Sequence, residues 1–259
     1  MTSSIINALA FPSPERAEWR LASLRRRQNL MWFTTSTGEK IPALLVKQQN
    51  ALFTSSRKRR FLVMYSHGNA EDLAQLPSLV EDMARMLRCD VLAYEYIGYS
   101  IADGSPSEAG CYASAMAAYE WALTKYAPND IIPFGRSLGS APACYIASQA
   151  TQPVGGLILQ SPLLSGANAL LGSVVAFGFF FLDILKNYNH ILNARCCVAI
   201  THGTADGVVP CWNVRVHSLA CFFLSLCLLT ALVYASLSHT GPQAPLSRRR
   251  RARAALAAR

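Results

Sequence analysis

The chain has 259 residues, of which 52% are hydrophobic and only 15% charged. That is enough apolar chain to bury one sizeable core, which excludes a disordered or low-complexity protein and makes a single α/β domain the natural expectation. The net charge of +9 is concentrated at one end: up to Asp206 there are 17 basic residues against 15 acidic, and the other seven basic residues follow with no Asp or Glu among them. Arg248 to Arg251, Arg253 and Arg259 make that end arginine-rich. It reads either as a solvated tail or as a segment drawn to an anionic membrane surface. Nucleic-acid binding is not expected, because the basic residues form one terminal run with no binding motif beside them.

Eight cysteines occur without any Cys-x-x-Cys pair. They are expected to be reduced and structural, with Cys196-Cys197 inside a buried strand, in an intracellular protein. No His/Cys spacing fits a metal site, and neither metal nor cofactor is expected. The N-terminus shows no apolar core of a signal peptide, and no cysteine precedes Cys89 to carry a lipid.

Residues 1–28 form a mixed, basic arm. Residues 30–48 alternate in polarity and turn at Thr37-Gly38-Glu39-Lys40, the pattern of an edge hairpin. A rhythm of strand and helix then begins. Short apolar strands are expected at 61–65, 90–96, 130–134, 156–160 and 197–201, and helices at 76–87, 108–126 (capped by Ser107) and 141–149. Apolar strands alternating with helices imply a mostly parallel sheet covered on both faces.

Two stretches interrupt the rhythm. The insert 162–194 holds an almost wholly apolar run, Ala169 to Phe181, whose 13 residues are too few to span a bilayer. It reads as a buried cap or as an apolar lid over an acyl site. Leu219 to Leu237 is 19 residues without a charge, ahead of the basic tail 238–259. Its length and flank fit a transmembrane helix with its basic end in the cytosol. The missing Asp, Glu and Lys fit equally a divergent or mis-assembled C-terminus, and a buried core segment is the third reading. The hydrolytic domain proper is bounded at 29–218.

The chemistry centres on Gly135-Arg136-Ser137-Leu138-Gly139, between the expected strand 130–134 and helix 141–149. A serine hydroxyl is a weak nucleophile until a base takes its proton. Gly-x-Ser-x-Gly at a strand-to-helix turn lifts the serine out on a tight bend, with the next helix aiming its amides at the reacting oxygen. An oxyanion hole needs two backbone N–H groups. Leu138 supplies one, and Asn69 or Ala70 of His67-Gly68-Asn69-Ala70 the other. His67 precedes the serine, out of order for a base in this fold, and is expected to be structural. The acid should follow the serine, and Asp206, in a loop at the carboxyl end of a strand, is the candidate to orient an imidazole. For the base only His217 and His239 follow Asp206. His239 has the spacing of a loop after a last strand.

These residues carry a resemblance. Tyr65-Ser66-His67-Gly68-Asn69-Ala70-Glu71-Asp72-Leu73 resembles the α/β-hydrolase domain-containing protein 17 family, as do Tyr94-Glu95-Tyr96 through Gly98-Tyr99-Ser100, and Gly104-Ser105-Pro106-Ser107-Glu108. So do the elbow, Gln160-Ser161-Pro162-Leu163-Leu164-Ser165-Gly166 and His202-Gly203-Thr204-Ala205-Asp206. The resemblance spans about residues 60–215 and implies an α/β-hydrolase fold and a serine hydrolase that removes palmitoyl groups from cysteines of membrane-associated proteins. It implies Ser137 as nucleophile and Asp206 as acid. Two features depart from the family. Its lipidated N-terminal cysteine cluster has no counterpart here, and its Gly-His-Asn-Asp-like loop, which carries the catalytic histidine, has at best Ser238-His239-Thr240. The substrate expected is an acylated protein or lipid-like ester at the cytoplasmic face of a membrane. The alternative is a hydrolase-fold binding protein without a competent histidine, attached to a membrane by its C-terminus.

Overall fold

The computed structural model describes residues 7, 10, 11, 14, 17–48, 60–69, 71–166, 184–203, 206, 209 and 232–236. The arm contributes helix α1 (Glu18–Arg25), which buries Leu21 and Leu24. The hairpin is β1 (Leu30–Thr34) and β2 (Lys40–Val46), with Gly38 at a positive φ in the turn between them. Then follow β3 (Leu62–Ser66), α2 (Pro77–Leu87), β4 (Asp90–Tyr94), α3 (Glu108–Leu123), β5 (Ile131–Arg136), α4 (Ser140–Gln149), β6 (Leu157–Gln160), α5 (Asn187–Ile191), β7 (Val198–Gly203) and β8 (Leu232–Ser236).

The strands form one sheet in the order β1-β2-β4-β3-β5-β6-β7-β8. β1 and β2, and β2 and β4, pair antiparallel, and every pair from β4 to β8 is parallel. Successive strand side chains point to opposite faces, and this sequence fills both. Leu62, Met64, Leu92 and Tyr94 join the cluster that includes Ala115, Ala118, Cys144 and Ile146 of α3 and α4. Val63, Tyr65, Val91 and Ala93 join Leu24 of α1 and Val80 and Ala84 of α2 on the other face. β3 and β4 are buried along their whole length, as the apolar runs Leu62 to Tyr65 and Val91 to Tyr94 of a covered parallel sheet should be.

β4 lies on one side of β3 and β5 on the other, so the winding reverses at β3. Ligand sites in open α/β sheets gather at the carboxyl ends of strands beside such a reversal. Here that is where β3 and β5 end, at Ser66 and Arg136.

Several boundaries move from their expected places. β4 stops at Tyr94 because the chain turns there, with the Tyr96 amide donating to Glu95 Oε1 at 3.0 Å. α3 stops at Leu123, and Tyr126 turns back to donate its hydroxyl to Asp90 at 2.8 Å. Cys196 and Cys197 are not in a buried strand. β7 begins at Val198, and Cys197 is exposed in the turn before it. The five described cysteines are all free thiols. Leu232–Ser236, within the uncharged stretch 219–237, is strand and pairs parallel with β7, Ala199 to Gly203 against Leu232 to Ser236. The apolar run of the insert, Ala169 to Phe181, lies outside the described residues. Among the described residues no helix is long and apolar enough to cross a membrane.

The start of α3 offers a clean stability test. Ser107 is extended, and its hydroxyl accepts the Gly110 amide at 3.0 Å, satisfying a donor that has no partner within the helix. Ser107→Ala should cost about 1 kcal/mol and lower the thermal midpoint by roughly 2–4 °C, read by calorimetry, with no change in far-UV circular dichroism.

Candidate functional site

β5 ends at Arg136, and Ser137 to Gly139 form a single 3-10 turn that runs straight into α4. Ser137 has φ +50°, in the left-handed region, which a residue with a Cβ occupies at a cost of roughly 1–2 kcal/mol. The flanking glycines are required by contact rather than by conformation. A Cβ on Gly135 would stand 2.3 Å from the Gly139 carbonyl oxygen, and one on Gly139 would stand 2.0 Å from that of Ser66. The turn therefore packs backbone to backbone on the end of β3. Leu138 is buried in the first turn of the helical path, where amides have no intrahelical partner.

From the elbow the network extends downstream. Ser140 donates to the Ser137 carbonyl at 2.6 Å, and its oxygen accepts from the Leu163 amide at 3.2 Å and from Asn187 Nδ2 at 2.8 Å. Asn187 is wholly buried and also donates to the Leu163 carbonyl at 2.8 Å. The first residue of α4 thus joins the Ser137 backbone to the described ends of the insert.

The loop after β3 is held by a buried ion pair. His67 Nε2 lies 2.8 Å from Glu95 Oε1, and neither side chain is exposed to solvent. His67 Nδ1 lies 3.0 Å from the Gly68 carbonyl. Glu95 Oε2 accepts the Leu73 amide at 2.8 Å, and the Tyr96 hydroxyl donates to the His67 carbonyl at 2.8 Å. Burial pushes the His67 imidazole down, but the Glu95 carboxylate outweighs it and holds the ring above its ordinary range. Both ring nitrogens face oxygen acceptors, the Gly68 carbonyl and the Glu95 carboxylate, so the imidazole is engaged on both sides and structural, as its place in the chain implied. Asn69 is fixed at both ends of its amide, accepting from the Tyr99 hydroxyl at 3.2 Å and donating to the Ala10 carbonyl at 3.0 Å. Ala70, its alternative as an oxyanion donor, lies outside the described residues.

A second contact spans the two halves. The Glu71 carboxylate accepts the Gly68 amide at 2.9 Å and Arg136 Nη1 at 2.5 Å. Near this pair burial pushes the Tyr65 hydroxyl up to about 12 and so keeps it neutral. Glu71, Glu95 and Tyr99 lie inside the motifs that carry the resemblance, but the sequence alone gives none of them a role. The signal for Glu95 is its place as a carboxylate just past the apolar run Val91 to Tyr94.

Asp206 follows β7, two strands from β5 at the carboxyl end of the sheet. One of its oxygens accepts the Val209 amide at 2.9 Å, and the other lies 3.7 Å from His202 Nε2. His202 is buried with Nε2 against the Val209 carbonyl at 2.7 Å. His190 packs edge-on to Tyr112 and Tyr145, and burial pushes it below the ordinary imidazole range. Among the described residues no histidine hydrogen bonds Ser137, whereas His217 and His239 lie outside them. The described residues therefore bring together Ser137, Leu138 and the Asn69 loop, and set Asp206 at the same edge. Among them no group of three or more His, Cys, Asp or Glu is arranged to hold a metal. A cavity of about 500 Å³ lies at the opposite end of the sheet, lined by Arg60, Asp90, Trp121, Tyr126 and Asp130. There Asp90 already takes Arg60 at 2.7 Å and the Tyr126 hydroxyl at 2.8 Å.

Comparison with known proteins agrees with this arrangement. The model of the α/β hydrolase fold matches residues 62–193. The chain is 31% identical over 212 residues to α/β-hydrolase domain-containing protein 17B of Homo sapiens, covering 80% of this chain and 68% of that one. It is 29% identical over 198 residues to α/β-hydrolase domain-containing protein 17C of Mus musculus, covering 75% and 58%. Its fold is similar to an esterase of Pyrococcus furiosus, with TM-score 0.62, 15% identity and 95% of each chain covered. An α/β hydrolase of Vibrio vulnificus is similar too, with TM-score 0.64, 16% identity and 88% and 83% covered.

The buried pair sets a pH test. Glu95→Gln leaves a buried imidazole without its counter-charge and should cost about 3–5 kcal/mol in chemical denaturation. A group whose folded pKa is raised contributes fully below its unfolded value and loses that contribution as pH climbs through the folded one. The stability gap between the native protein and E95Q should therefore be widest below the unfolded value near 6.5 and narrow as pH climbs through the raised folded one. A gap that widens with pH would overturn the assignment of charge to His67.

Proposed function

The chain belongs to the α/β-hydrolase domain-containing protein 17 family, and from that premise we propose that it is a serine hydrolase of acyl thioesters, acting as a palmitoyl-protein thioesterase. The observation that carries the reading is Ser137 at φ +50° between two glycines that backbone contact forbids from bearing a side chain. A hydrolase needs its nucleophile raised in this way; Arg88, Ser100, Ser161 and Leu185 share the positive φ, but of these five residues Ser137 alone stands in a Gly-x-Ser-x-Gly turn between a strand and a helix.

In the mechanism, Ser137 Oγ attacks the thioester carbonyl as a base removes its proton. The carbonyl oxygen becomes an oxyanion held by the amides of Leu138 and of Asn69 or Ala70. Collapse breaks the C–S bond, and the thiolate leaves with the proton the base had taken. Water then attacks the acyl-serine by the same route, releasing fatty acid and restoring Ser137. Asp206 orients the base, and the base is His239. In favour of His239 is the parallel pairing of β8 with β7, which puts Ser236, the last residue of β8, at the same edge as Ser137 and Asp206. His239 follows Ser236 by three positions. The apolar run Ala169 to Phe181 takes the acyl chain, and the arginine-rich end meets the anionic cytoplasmic face of a membrane.

A fluorophosphonate probe followed by peptide mapping tests the nucleophile. Ser137 should label in the folded protein and Ser137→Ala should not, and folded native protein that fails to label would sink the reading. His239→Ala should slow hydrolysis of a palmitoyl thioester by about 10⁴-fold. An H239A variant with undiminished rate would remove His239 from the triad and leave the labelling result untouched.

A further inference from the structure

The two loops proposed to hold the oxyanion come from different strands, and their backbone ladder ends early. β3 and β5 pair from Leu62 with Ile131 to Ser66 with Gly135 and no further. The amides in question lie beyond that last pair, on Asn69 and Leu138. Past the ladder, Glu71 touches both loops. Its Oε2 takes the Gly68 amide at 2.9 Å, one residue before Asn69, and its Oε1 takes Arg136 Nη1 at 2.5 Å, two residues before Leu138. The fit is close: a Cβ on Gly68 would lie 3.3 Å from Glu71 Oε2 and 3.7 Å from the Arg136 carbonyl oxygen.

We propose that Glu71 and Arg136 are positioning residues that set the separation of the two oxyanion amides, with the carboxylate as a bridge between the loop after β3 and the nucleophile elbow. This rests on the serine hydrolase reading. Neither residue touches the reacting atoms. Glu71 acts by holding the Gly68–Asn69 backbone, and Arg136 by holding Glu71. The arrangement also makes the site salt-sensitive. The Arg136 side chain is 45% exposed and that of Glu71 22%, so added electrolyte reaches the pair, whereas the His67–Glu95 pair is sealed from it. An exposed ion pair adds little to global stability. Its effect is expected instead in the transition state, where a displaced oxyanion donor is felt and substrate binding is not.

The test is steady-state kinetics on p-nitrophenyl butyrate with Glu71→Gln, Arg136→Met and the double variant, beside thermal midpoints. Losing an oxyanion donor outright costs about 10²–10³ in kcat, so displacing one should cost on the order of tenfold. KM should stay within about a factor of two, because the lost interaction belongs to the transition state. The double variant should be no slower than either single one, since both remove the same bridge. Raising sodium chloride to about 0.5 M should lower kcat of the native protein toward that of E71Q and leave E71Q unchanged. Arg136→Lys, which keeps the charge, should recover part of the rate lost in R136M. Single variants with native kcat, additive losses in the double variant, or a fall in kcat matched by a fall in thermal midpoint would each overturn the proposal. Fluorophosphonate labelling separates this failure from that of the parent reading. Native protein that labels while E71Q labels equally fast defeats the bridge alone, and native protein that never labels defeats both.

Discussion

The site depends on a backbone contact that side chains would forbid. Gly139 lies so close to the end of β3 that any Cβ would meet the Ser66 carbonyl oxygen at 2.0 Å, and Gly135 is as tightly opposed to Gly139 itself. That contact puts the turn bearing Ser137 against the loop bearing Gly68 and Asn69. It is possible because β3 and β5 are adjacent, parallel and in register up to Ser66 and Gly135. The reversal of winding at β3 makes them adjacent, so the surroundings of Ser137 follow from strand order.

Around this contact the chain spends its buried polar groups. His67 and Glu95 are both removed from water, and removing either partner leaves an uncompensated buried charge. Their further bonds are to backbone: the Gly68 carbonyl, and the Leu73 and Tyr96 amides. The pair therefore holds the shape of the loop after β3 against the end of β4. On the other side of the elbow, Ser140 and Asn187 play a similar part with neutral groups, tying the Ser137 carbonyl to Leu163 and α5. Ser137 is braced from both directions by bonds that make no contact with its hydroxyl. Rigid support of this kind is what lets a strained serine persist.

The two ion pairs near the elbow differ in kind. The His67–Glu95 pair is sealed, and its influence is on folding and on pH. The Glu71–Arg136 pair is open to solvent, adds little to folding, and joins two segments that the sheet no longer holds together. One builds the loop, and the other spaces it from its neighbour.

The sequence by itself determined the parts whose signals are local. Gly135-x-Ser137-x-Gly139 at a strand-to-helix junction is a contiguous pattern, and its backbone came out as that pattern requires. The apolar runs of the strands, the Ser107 cap and the structural role of His67 were legible for the same reason: each rests on a period or on position in the chain. Only the tertiary structure decided the partners. Glu95 meets His67 across 28 residues, Asn187 meets Ser140 across 47, and Arg136 meets Glu71 across 65. It also decided that Leu232–Ser236 adds a strand beside β7, where an uncharged run of 19 residues reads equally well as a helix in a bilayer. Contacts between residues so far apart have no period and no fixed spacing. They arise when strand order brings segments together, and strand order depends on the packing of the whole sheet.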